Sequence, residues 1–580
     1  MRDRFDKEKL IGLIVGGISN EFSKEVINGV VNSIPNSSDI RLAILPGELM
    51  VQKYQSTGVA EHHAMFNSVY NLGNICKMDG LIIAMGSIGW QLNDDEIHDF
   101  LKQFDKMPLV LIASDYTEYT TVNYDNKSGI REAIDSLINK RGLNRICMIG
   151  GYDANVDSVR RKKIFIESLE ENGIKFEDKF YVASDMSINS EEAAETLIRD
   201  NPDVQAIFCV NDASAVGLYN VMKKQGLTPG KEIQVIGFDN TRKAGELIPP
   251  LSSVGSQSVT LGQKALELLL EKIDGNEVES AVIPTRLYGR ESYEYDRFDF
   301  SLRKFDEINV RYFEIMFEDC FYRYAGEHIG RESVNLKRLF CEVLSKMFDG
   351  LSKKYIGAED FEEICQLIDI FFGNGAMEYT DVWKFLESVS RLQRIINDQQ
   401  NGRENVLVNR MFIRMKDDAI KSISEMRIRE NNENIEARSR FREFMIKGMN
   451  YSGNKESIQL DILNSMDLLG VQNSAFYMFE EPVVKADLDQ KKYPEYINLV
   501  SVIKAGSVYV IPKARQKRPM SDIFIQREIK IYNKRFVTFP IFYERILYGF
   551  LLLELTDDLY HKGEFYASQL GMLVHMVRIS

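Results

Sequence analysis

The sequence has no apolar run of eighteen residues, no Cys-x-x-Cys pair and no proline from Tyr293 to Met449. The first absence argues against a transmembrane helix, which needs about 20 apolar residues. Since the six cysteines lack the spacing of a metal or redox site, we expect buried free thiols in a reducing compartment. The charged amino terminus, MRDRFDKEK, also lacks the apolar region of a signal peptide. We therefore expect a cytoplasmic protein without a membrane partner.

A surplus of positive charge and the common catalytic motifs are missing as well. The formal net charge is −14, whereas a phosphate-binding surface needs clustered Lys and Arg. The motifs of P-loops, serine hydrolases and zinc proteases do not occur in the chain. His62-His63 has no Cys or carboxylate at ligand spacing, so a surface or helix-packing role explains this pair better than metal binding. We expect no catalytic residues, no cofactor and no metal site.

Short apolar runs alternate with helical periodicity through the first half of the chain. Leu10 to Val15 and Ile233 to Phe238 are two such runs, rich in strand-forming residues. This alternation predicts right-handed βαβ units and parallel sheets, hence an α/β fold. Ligands of such sheets bind at the carboxyl ends of the strands. The polar pairs Asn211-Asp212 and Asp239-Asn240 follow two of these runs and are expected there, with helix caps or turns as the alternative explanation.

Residues 206–254 carry several motifs in a fixed order, namely VNDASAVG, then GLTPGKEIQVIGFDN, then IPPLSSV. This order and spacing resemble the ligand-binding core of the lactose-repressor (LacI/GalR) family, whose fold is that of periplasmic sugar-binding proteins. The resemblance covers residues 9–292. It implies a two-lobed domain over residues 1–292, built on parallel sheets, that binds a small polar metabolite, by expectation a sugar, in the cleft between its lobes.

The resemblance also implies which first-lobe and helix residues line that cleft. IGLIVGGISNEF resembles the family's opening strand and loop, which places Asn20 and Phe22 in the cleft. A helix cap and a core residue are the equally weighted alternatives. Arg161 takes the position of the family's ligand-holding arginine, although Ile164 replaces a glycine of the motif and Arg160 is a competitor for the role.

Further candidates come from the second half of the domain. By motif position, Asn211 and Asp239 are the partners of the arginine, and a guanidinium opposed by a carboxylate suits a polyhydroxylated ligand. Ser256 and Gln257 occupy the next loop, but they differ from the residues that the family's type member has there. The identity of the ligand is therefore open.

Only nine residues precede the first strand. This length leaves no room for the helix-turn-helix and hinge helix of the family. Together with the negative net charge, it predicts that these residues do not bind DNA directly.

A helical domain is predicted for residues 293–400 and a long linking helix for residues 401–450. The linking helix has an apolar stripe near heptad spacing, formed by Val408, Phe412, Met415, Ala419, Ile423 and Met426. A coiled coil and a helix packed on a core explain this stripe equally well. We expect a homodimer held by the first domain, by this helix or by both.

The last part, residues 451–580, has the pattern of a helix, antiparallel strands and a closing helix. Leu460 to Leu468 is the predicted first helix, and Glu564 to Val577 the last. This pattern weakly resembles a GAF domain. The basic run from Lys513 to Arg518 lies between strands and is interpreted as a solvated loop.

The order of these parts predicts a ligand-sensing regulator that signals through its helices to a carboxyl-terminal output. The alternative is the sensory part of a diguanylate cyclase or sensor kinase, because such proteins show this order of domains. Their catalytic domain would lie beyond Ser580. No GGDEF motif or kinase box occurs in the sequence, which favours the regulator.

Overall fold

The computed structural model describes residues 8–35, 38–48, 57–89, 92–153, 155–293, 295, 308–324, 335–352, 356–399, 406–449, 472–525 and 534–579. The strands are β1 (Lys9–Gly16), β2 (Ile40–Gly47), β3 (Gly80–Ala84), β4 (Leu109–Ile112), β5 (Thr120–Asp125), β6 (Ile146–Gly150), β7 (Tyr181–Ala183), β8 (Ala206–Cys209), β9 (Gln234–Phe238), β10 (Ser252–Gly255), β11 (Ala281–Pro284), β12 (Arg286–Tyr288), β13 (Ser474–Val484), β14 (Tyr496–Lys504), β15 (Ser507–Val510), β16 (Lys517–Pro519), β17 (Arg535–Tyr543) and β18 (Ile546–Glu554).

The α-helices are α1 (Glu21–Asn32), α2 (Thr57–Phe66), α3 (Leu72–Ile75), α4 (Met85–Ile88), α5 (Asp94–Lys102), α6 (Asn126–Asp135), α7 (Val156–Glu171), α8 (Glu191–Asp200), α9 (Asp212–Lys224), α10 (Arg242–Glu246), α11 (Ser258–Ile273), α12 (Val310–Cys320), α13 (Leu336–Ser352), α14 (Ala358–Gly373), α15 (Val382–Gln399), α16 (Val406–Met449), α17 (Lys485–Asp489) and α18 (Asp557–Ile579). The chain forms two compact units. Unit one contains residues 1–123, 258–283 and 433–580, and unit two contains residues 124–257 and 284–432.

Unit one is built on a sheet in which twelve described strands take part, in the order β11-β5-β4-β3-β1-β2-β17-β18-β13-β14-β15, with β16 also paired to β14. The strands from β5 to β2 are parallel, as the alternation of strands and helices predicts. The strands from β17 to β15 are antiparallel. A parallel half from the start of the chain and an antiparallel half from its end thus make one sheet.

The two halves of this sheet meet where β2 pairs with β17. The pairing is parallel, with Leu42 beside Arg535 and Ile44 beside Val537, and both strands are almost entirely buried. Next to the junction, the Arg41 guanidinium donates to the carbonyl of Phe524 at 2.7 Å. The sequence predicted residues 451–580 as a domain of their own. Those domain bounds remain a prediction, whereas the compact unit in the structure extends across them.

We expect the fragment 1–292 to be poorly soluble when it is expressed alone. Without β17, the eight-residue strand β2 becomes an unpaired, apolar edge of the sheet, and such edges promote aggregation. Light scattering after size exclusion should show mostly aggregate for the fragment and a defined species for the full chain. A fragment that stayed monomeric, with the unfolding midpoint of unit one unchanged, would show that the junction is dispensable.

Unit two contains a second sheet, in the order β12-β10-β9-β8-β6-β7. The pairs of this sheet are parallel except for β12, which runs antiparallel to β10. Two clusters of buried apolar side chains include residues from these strands and from their helices. Helices α12 to α15 and the beginning of α16 form a separate helical core rich in phenylalanine.

The predicted stripe of the linking helix belongs to this helical core. Val408, Phe412, Met415 and Ala419 are at most 2% exposed, and Ile423 packs against the same cluster. The helix-on-core explanation therefore accounts for the stripe from Val408 to Ile423, and Met426 is half-buried.

The last region contains the antiparallel strands β13, β14, β15, β17 and β18, and the closing helix α18 begins at Asp557, seven residues before the predicted start. The predicted helix from Leu460 to Leu468 lies outside the described residues, and the likeness to a GAF domain remains a prediction. All six cysteines are buried free thiols, as the sequence predicted. None of the described helices is both long and apolar enough to cross a bilayer.

Candidate ligand-binding site

The polar pairs predicted to bind a ligand do lie at the carboxyl ends of parallel strands. Asn211-Asp212 follows β8, and Asp239-Asn240 follows β9, which is paired to β8. Asp239 and Asn240 have φ angles of 98° and 52°. Residues other than glycine adopt this left-handed region at a cost in free energy, and such residues cluster at functional sites. The loop after β9 is thus held in a shape that local preference alone does not favour.

Arg161 projects from α7 into this edge of the sheet. Its Nη1 donates to the carbonyl of Val210 at 2.7 Å and lies 3.2 Å from a carboxylate oxygen of Asp239. The guanidinium carbon lies 3.6 Å from the centroid of the Phe238 ring. Arg161 is 5% exposed, whereas the competitor Arg160 is exposed. The structure therefore brings together Arg161 and Asp239, two of the predicted residues.

Helix α7 is continuous although Ile164 replaces the glycine of the motif. Ile164 packs against the cluster beneath the sheet, so the substitution does not turn the helix away. At the start of the same helix, the side chain of Asn155 caps the backbone NH of Ser158 at 2.8 Å. The cap and the apolar contact together fix the direction in which Arg161 points.

Asp239 forms an ion pair with Arg161 and remains partly exposed to solvent. Burial raises the pKa of Asp239 to about 6, and the charge of Arg161 opposes the rise. Because 42% of the side chain is exposed, solvent weakens the effect of burial. The carboxylate is therefore charged at neutral pH, and it offers an acceptor beside the donors of Arg161.

The buried Asp212 holds the residues at the carboxyl edge of the sheet in place by hydrogen bonds. The sequence did not predict this role. The Asp212 carboxylate accepts hydrogen bonds from the Ser253 hydroxyl at 2.6 Å and from the Thr241 backbone NH and hydroxyl at 2.8 and 3.0 Å. A Cβ at Gly237 would lie 2.2 Å from the same carboxylate. Asp212 thus ties α9 to the loop after β9 and to strand β10. Burial, with the nearby Asp239 charge, raises the pKa of Asp212 to about 7.

The side-chain amide of Asn211 forms hydrogen bonds to other residues of the domain. Its Oδ1 accepts from the Ser214 NH at 2.8 Å as the cap of α9, and its Nδ2 donates to the Met186 carbonyl at 2.9 Å. Its predicted contact with a ligand remains a prediction. In the same unit, Asn126 accepts from Nε of Arg161 at 3.4 Å. This neighbour was not among the predicted residues.

Ser256 and Gln257 follow β10, and both are half-buried. Gln257 Nε2 donates to the carbonyl of Tyr322, which lies beyond α12 at the start of the helical region. Gln257 therefore links the loop after β10 to that region.

A buried network of charged side chains also links the sheet of unit two to the helical region. Arg290 donates to Asp381 at 2.7 Å, to Asn240 Oδ1 at 2.7 Å and to the Tyr322 hydroxyl at 2.6 Å, and Arg323 pairs with Asp381 at 3.0 Å. Burial alone would raise the pKa of Asp381, but the two arginine charges outweigh it and lower the pKa to about 2. Through Arg290, Asn240, which follows Asp239, is thus connected to Asp381 just before α15.

The two predicted residues of unit one lie at the start of α1. Asn20 caps this helix by accepting from the Phe22 NH at 2.9 Å and the Ser23 NH at 3.4 Å, which is the structural alternative weighed for it. Phe22 is half-buried. In the same loop, the Ile18 NH donates to Glu564 of α18 at 2.5 Å. Burial, with the nearby Glu48, raises the pKa of Glu564 to about 7.

The fold and the site together define a class of protein. A parallel sheet with a buried arginine and a carboxylate at its carboxyl edge is a ligand-binding domain. Among the described residues, no group of three or more His, Cys, Asp or Glu side chains could hold a metal ion.

Comparison with known proteins gives one family match and several similar proteins. The periplasmic-binding-protein-like domain family matches residues 134–293. Catabolite control protein A of Priestia megaterium is 26% identical over 291 residues, which are 49% of this chain and 82% of that protein. The HTH-type transcriptional repressor PurR of Photobacterium profundum is 27% identical over 278 residues, which are 47% of this chain and 77% of that protein. A crystal structure of transcription regulator CcpA of Lactococcus lactis, 21% identical, covers 50% of this chain and 100% of that chain with a TM-score of 0.41.

Residues 9–292 therefore form a ligand-binding domain of the LacI/GalR, periplasmic-binding-protein-like type. By name, the two relatives are a control protein and a transcriptional repressor. Each match covers about half of this chain.

Proposed function

We propose that this protein is a cytoplasmic regulator that binds a small polar metabolite, of the sugar class, in its LacI/GalR-like domain. The observation that carries the proposal is the pair of Arg161 and Asp239 at the strand ends, with Arg161 stacked on Phe238. Kinship with named transcriptional regulators supports regulation of transcription as the process it serves.

The chemistry of this pair suits a ligand with several hydroxyl groups. Arg161 uses Nε and Nη1 for Asn126, Val210 and Asp239. The bonds made by the described residues leave Nη2 as a donor for a ligand. Asp239 supplies an acceptor next to it, and a hydroxyl group both donates and accepts. Each hydrogen bond to a charged partner contributes about 1.5–3 kcal/mol. A few of them suffice for micromolar affinity.

The protein acts, in this proposal, by binding and not by catalysis. We do not propose that these residues bind DNA directly, because the net charge of the chain is −14. The output is instead carried by the carboxyl-terminal part, for which we propose a GAF-like transmitting module. Its antiparallel sheet with helix α18 supports that assignment. The contact of the Ile18 loop with Glu564 offers one path to this module within unit one.

We expect Asp239→Asn to weaken sugar binding by about 10- to 100-fold, because it replaces a charged acceptor with a neutral one. Isothermal calorimetry on a ligand found by thermal-shift screening of a sugar panel measures the change. Asp203→Asn is the matched control, since Asp203 is exposed and pairs with Arg145 before β8. Equal affinity of the Asp239 variant and the control would show that the site is wrongly assigned. A panel without any ligand would count against the sugar class.

A further inference from the structure

A second carboxylate, that of Asp157, lies close to the pair of Arg161 and Asp239 in unit two. Asp157 precedes Arg161 by about one turn of α7, and residues four apart share one face of a helix. Its Oδ1 accepts from Nδ2 of Asn126 at 3.4 Å, and Oδ1 of Asn126 accepts from Nε of Arg161 at 3.4 Å. Asp239 lies 3.2 Å from Nη1 of the same guanidinium. Two carboxylates therefore flank a single guanidinium.

This arrangement leaves an excess of negative charge at the candidate site. Burial raises the pKa of Asp239 to about 6, the charge of Arg161 lowers it, and the charge of Asp157 raises it. Asp157 is exposed, and neither the neighbouring Arg160 nor another described cation forms an ion pair with it. Burial and the Asp239 charge raise the pKa of a third carboxyl, that of Asp212, to about 7. The charge of Arg161 thus does not balance the carboxyl groups around it.

A ligand with a protonated amine would balance these charges. An ammonium group has three N–H donors and no acceptor, whereas the ionised carboxylates of Asp157 and Asp239 offer only acceptors. A hard metal ion is less well matched, because Ca²⁺ takes about six to eight oxygen ligands. The excess charge therefore favours an organic cation of the ammonium type.

The remaining donor of Arg161 indicates what else the ligand carries. Nε and Nη1 already bond to Asn126, to the Val210 carbonyl and to Asp239. A carboxylate is bound in bidentate fashion by two nitrogens of a guanidinium, and the bonds made by the described residues leave only Nη2. A hydroxyl oxygen needs one donor, and unlike a carboxylate it is not repelled by Asp239. The site thus suits an amine with hydroxyl groups better than an amino acid.

We propose that the ligand is an amino sugar, whose ammonium group faces the carboxylates of Asp157 and Asp239 and whose hydroxyl groups contact Nη2 of Arg161. This inference rests on the proposed function and names the ligand within the sugar class. It also gives Asp157 a role in selecting the ligand.

The test is calorimetry of the full chain at pH 7 with three matched pairs of sugars: glucosamine and glucose, galactosamine and galactose, mannosamine and mannose. At least one amino sugar is expected to bind about 10- to 100-fold more tightly than its neutral partner, because its hydrogen bonds to the carboxylates are charged on both sides. Serine, an amine with a carboxylate, is expected to bind more weakly than that amino sugar.

The variant Asp157→Asn is expected to weaken binding of the amino sugar by at least about tenfold, and to change the affinity for the neutral partner by less than about twofold. Glu170→Gln is the matched control, since it removes one charge from an exposed residue of the same helix, about 20 Å from Asp157. This control should bind both sugars like the wild type. Thermal unfolding checks that both variants are folded.

The outcomes separate this inference from the proposed function. Equal affinity for the amino sugars and their neutral partners overturns the inference and leaves the proposed function standing, because a sugar then binds without need of its amine. An Asp157 variant that binds the amino sugar as tightly as the control also overturns it, as does serine binding more tightly than every amino sugar. If none of the six sugars binds, the inference and the proposed sugar class both fail.

Discussion

Replacing Asp381 with alanine is expected to destabilise unit two by about 3–5 kcal/mol, because it leaves a buried arginine without its partner. The Arg290 side chain is 1% exposed and that of Asp381 is 9% exposed, so water cannot replace the lost carboxylate. Urea unfolding, followed by amide exchange in β8 and β9, measures the change.

The control for this variant is Asp369→Ala. Asp369 also pairs with an arginine, Arg414, but the two side chains are 53% and 42% exposed. An exposed pair contributes about 0–1 kcal/mol, so the control should unfold at nearly the wild-type urea concentration. Similar losses for the two variants would mean that the Arg290 network is not a buried charge cluster in solution.

The second expected result is that unit two becomes less stable as the pH rises from 5 to 7. Asp212 is fully buried, and its pKa is raised from 3.8 to about 7. The folded state thus holds a proton that the unfolded state releases, and stability falls with rising pH between these two values. One such group changes the free energy of unfolding by about 1.4 kcal/mol per pH unit, or about 2–3 kcal/mol over this range.

The variant Asp212→Asn should remove the part of this pH dependence above about pH 6, because Asp239, with a pKa raised to about 6, contributes the same sign below that pH. Asparagine keeps an acceptor for the Thr241 NH but cannot titrate. Asp381, with a pKa lowered to about 2, contributes the opposite sign, but only below about pH 4. Urea titrations of both proteins at pH 5, 6, 7 and 8 give the comparison. A wild-type stability that rises from pH 5 to 7 would contradict the assignment of a protonated Asp212.

The apolar stripe of α16 shows one limit of predicting structure from the period of apolar residues. An apolar stripe has the same helical spacing whether a partner helix or the core of the same chain covers it. The spacing of the apolar residues from Val408 to Met426 allowed two explanations, a coiled coil and a helix packed on a core. The side that the helical core covers became known only once helices α12 to α15 were placed around it.

Part of the candidate site could be predicted from the sequence. Arg161 and Asp239 were predicted because a family motif marks their positions, and the structure brings them within 3.2 Å. Asp212 was expected at the ligand-binding edge, with a helix cap or turn as the alternative, since nothing local shows that its three donors come from Thr241 and Ser253. Arg290 was not selected as a candidate, because its partner Asp381 is 91 residues away.

By itself, the sequence determined the local features of this protein. Strands that end in polar residues, helical periodicity between the strands, and a proline-free helical region all follow from neighbours within a few residues. The interactions that set these features are short-ranged, so their pattern is visible in the order of residues.

Only the tertiary structure decided that β17 completes the sheet at β2 and that Arg290 joins the sheet of unit two to the helical region. The sequence predicted β17 as a strand of a separate module. Any buried apolar strand offers the same backbone donors and acceptors to a neighbour, so the sequence of β2 does not specify which strand pairs with it. The two paired strands are nearly five hundred residues apart in the chain. The local pattern of residues around β2 therefore does not show that β17 is its partner.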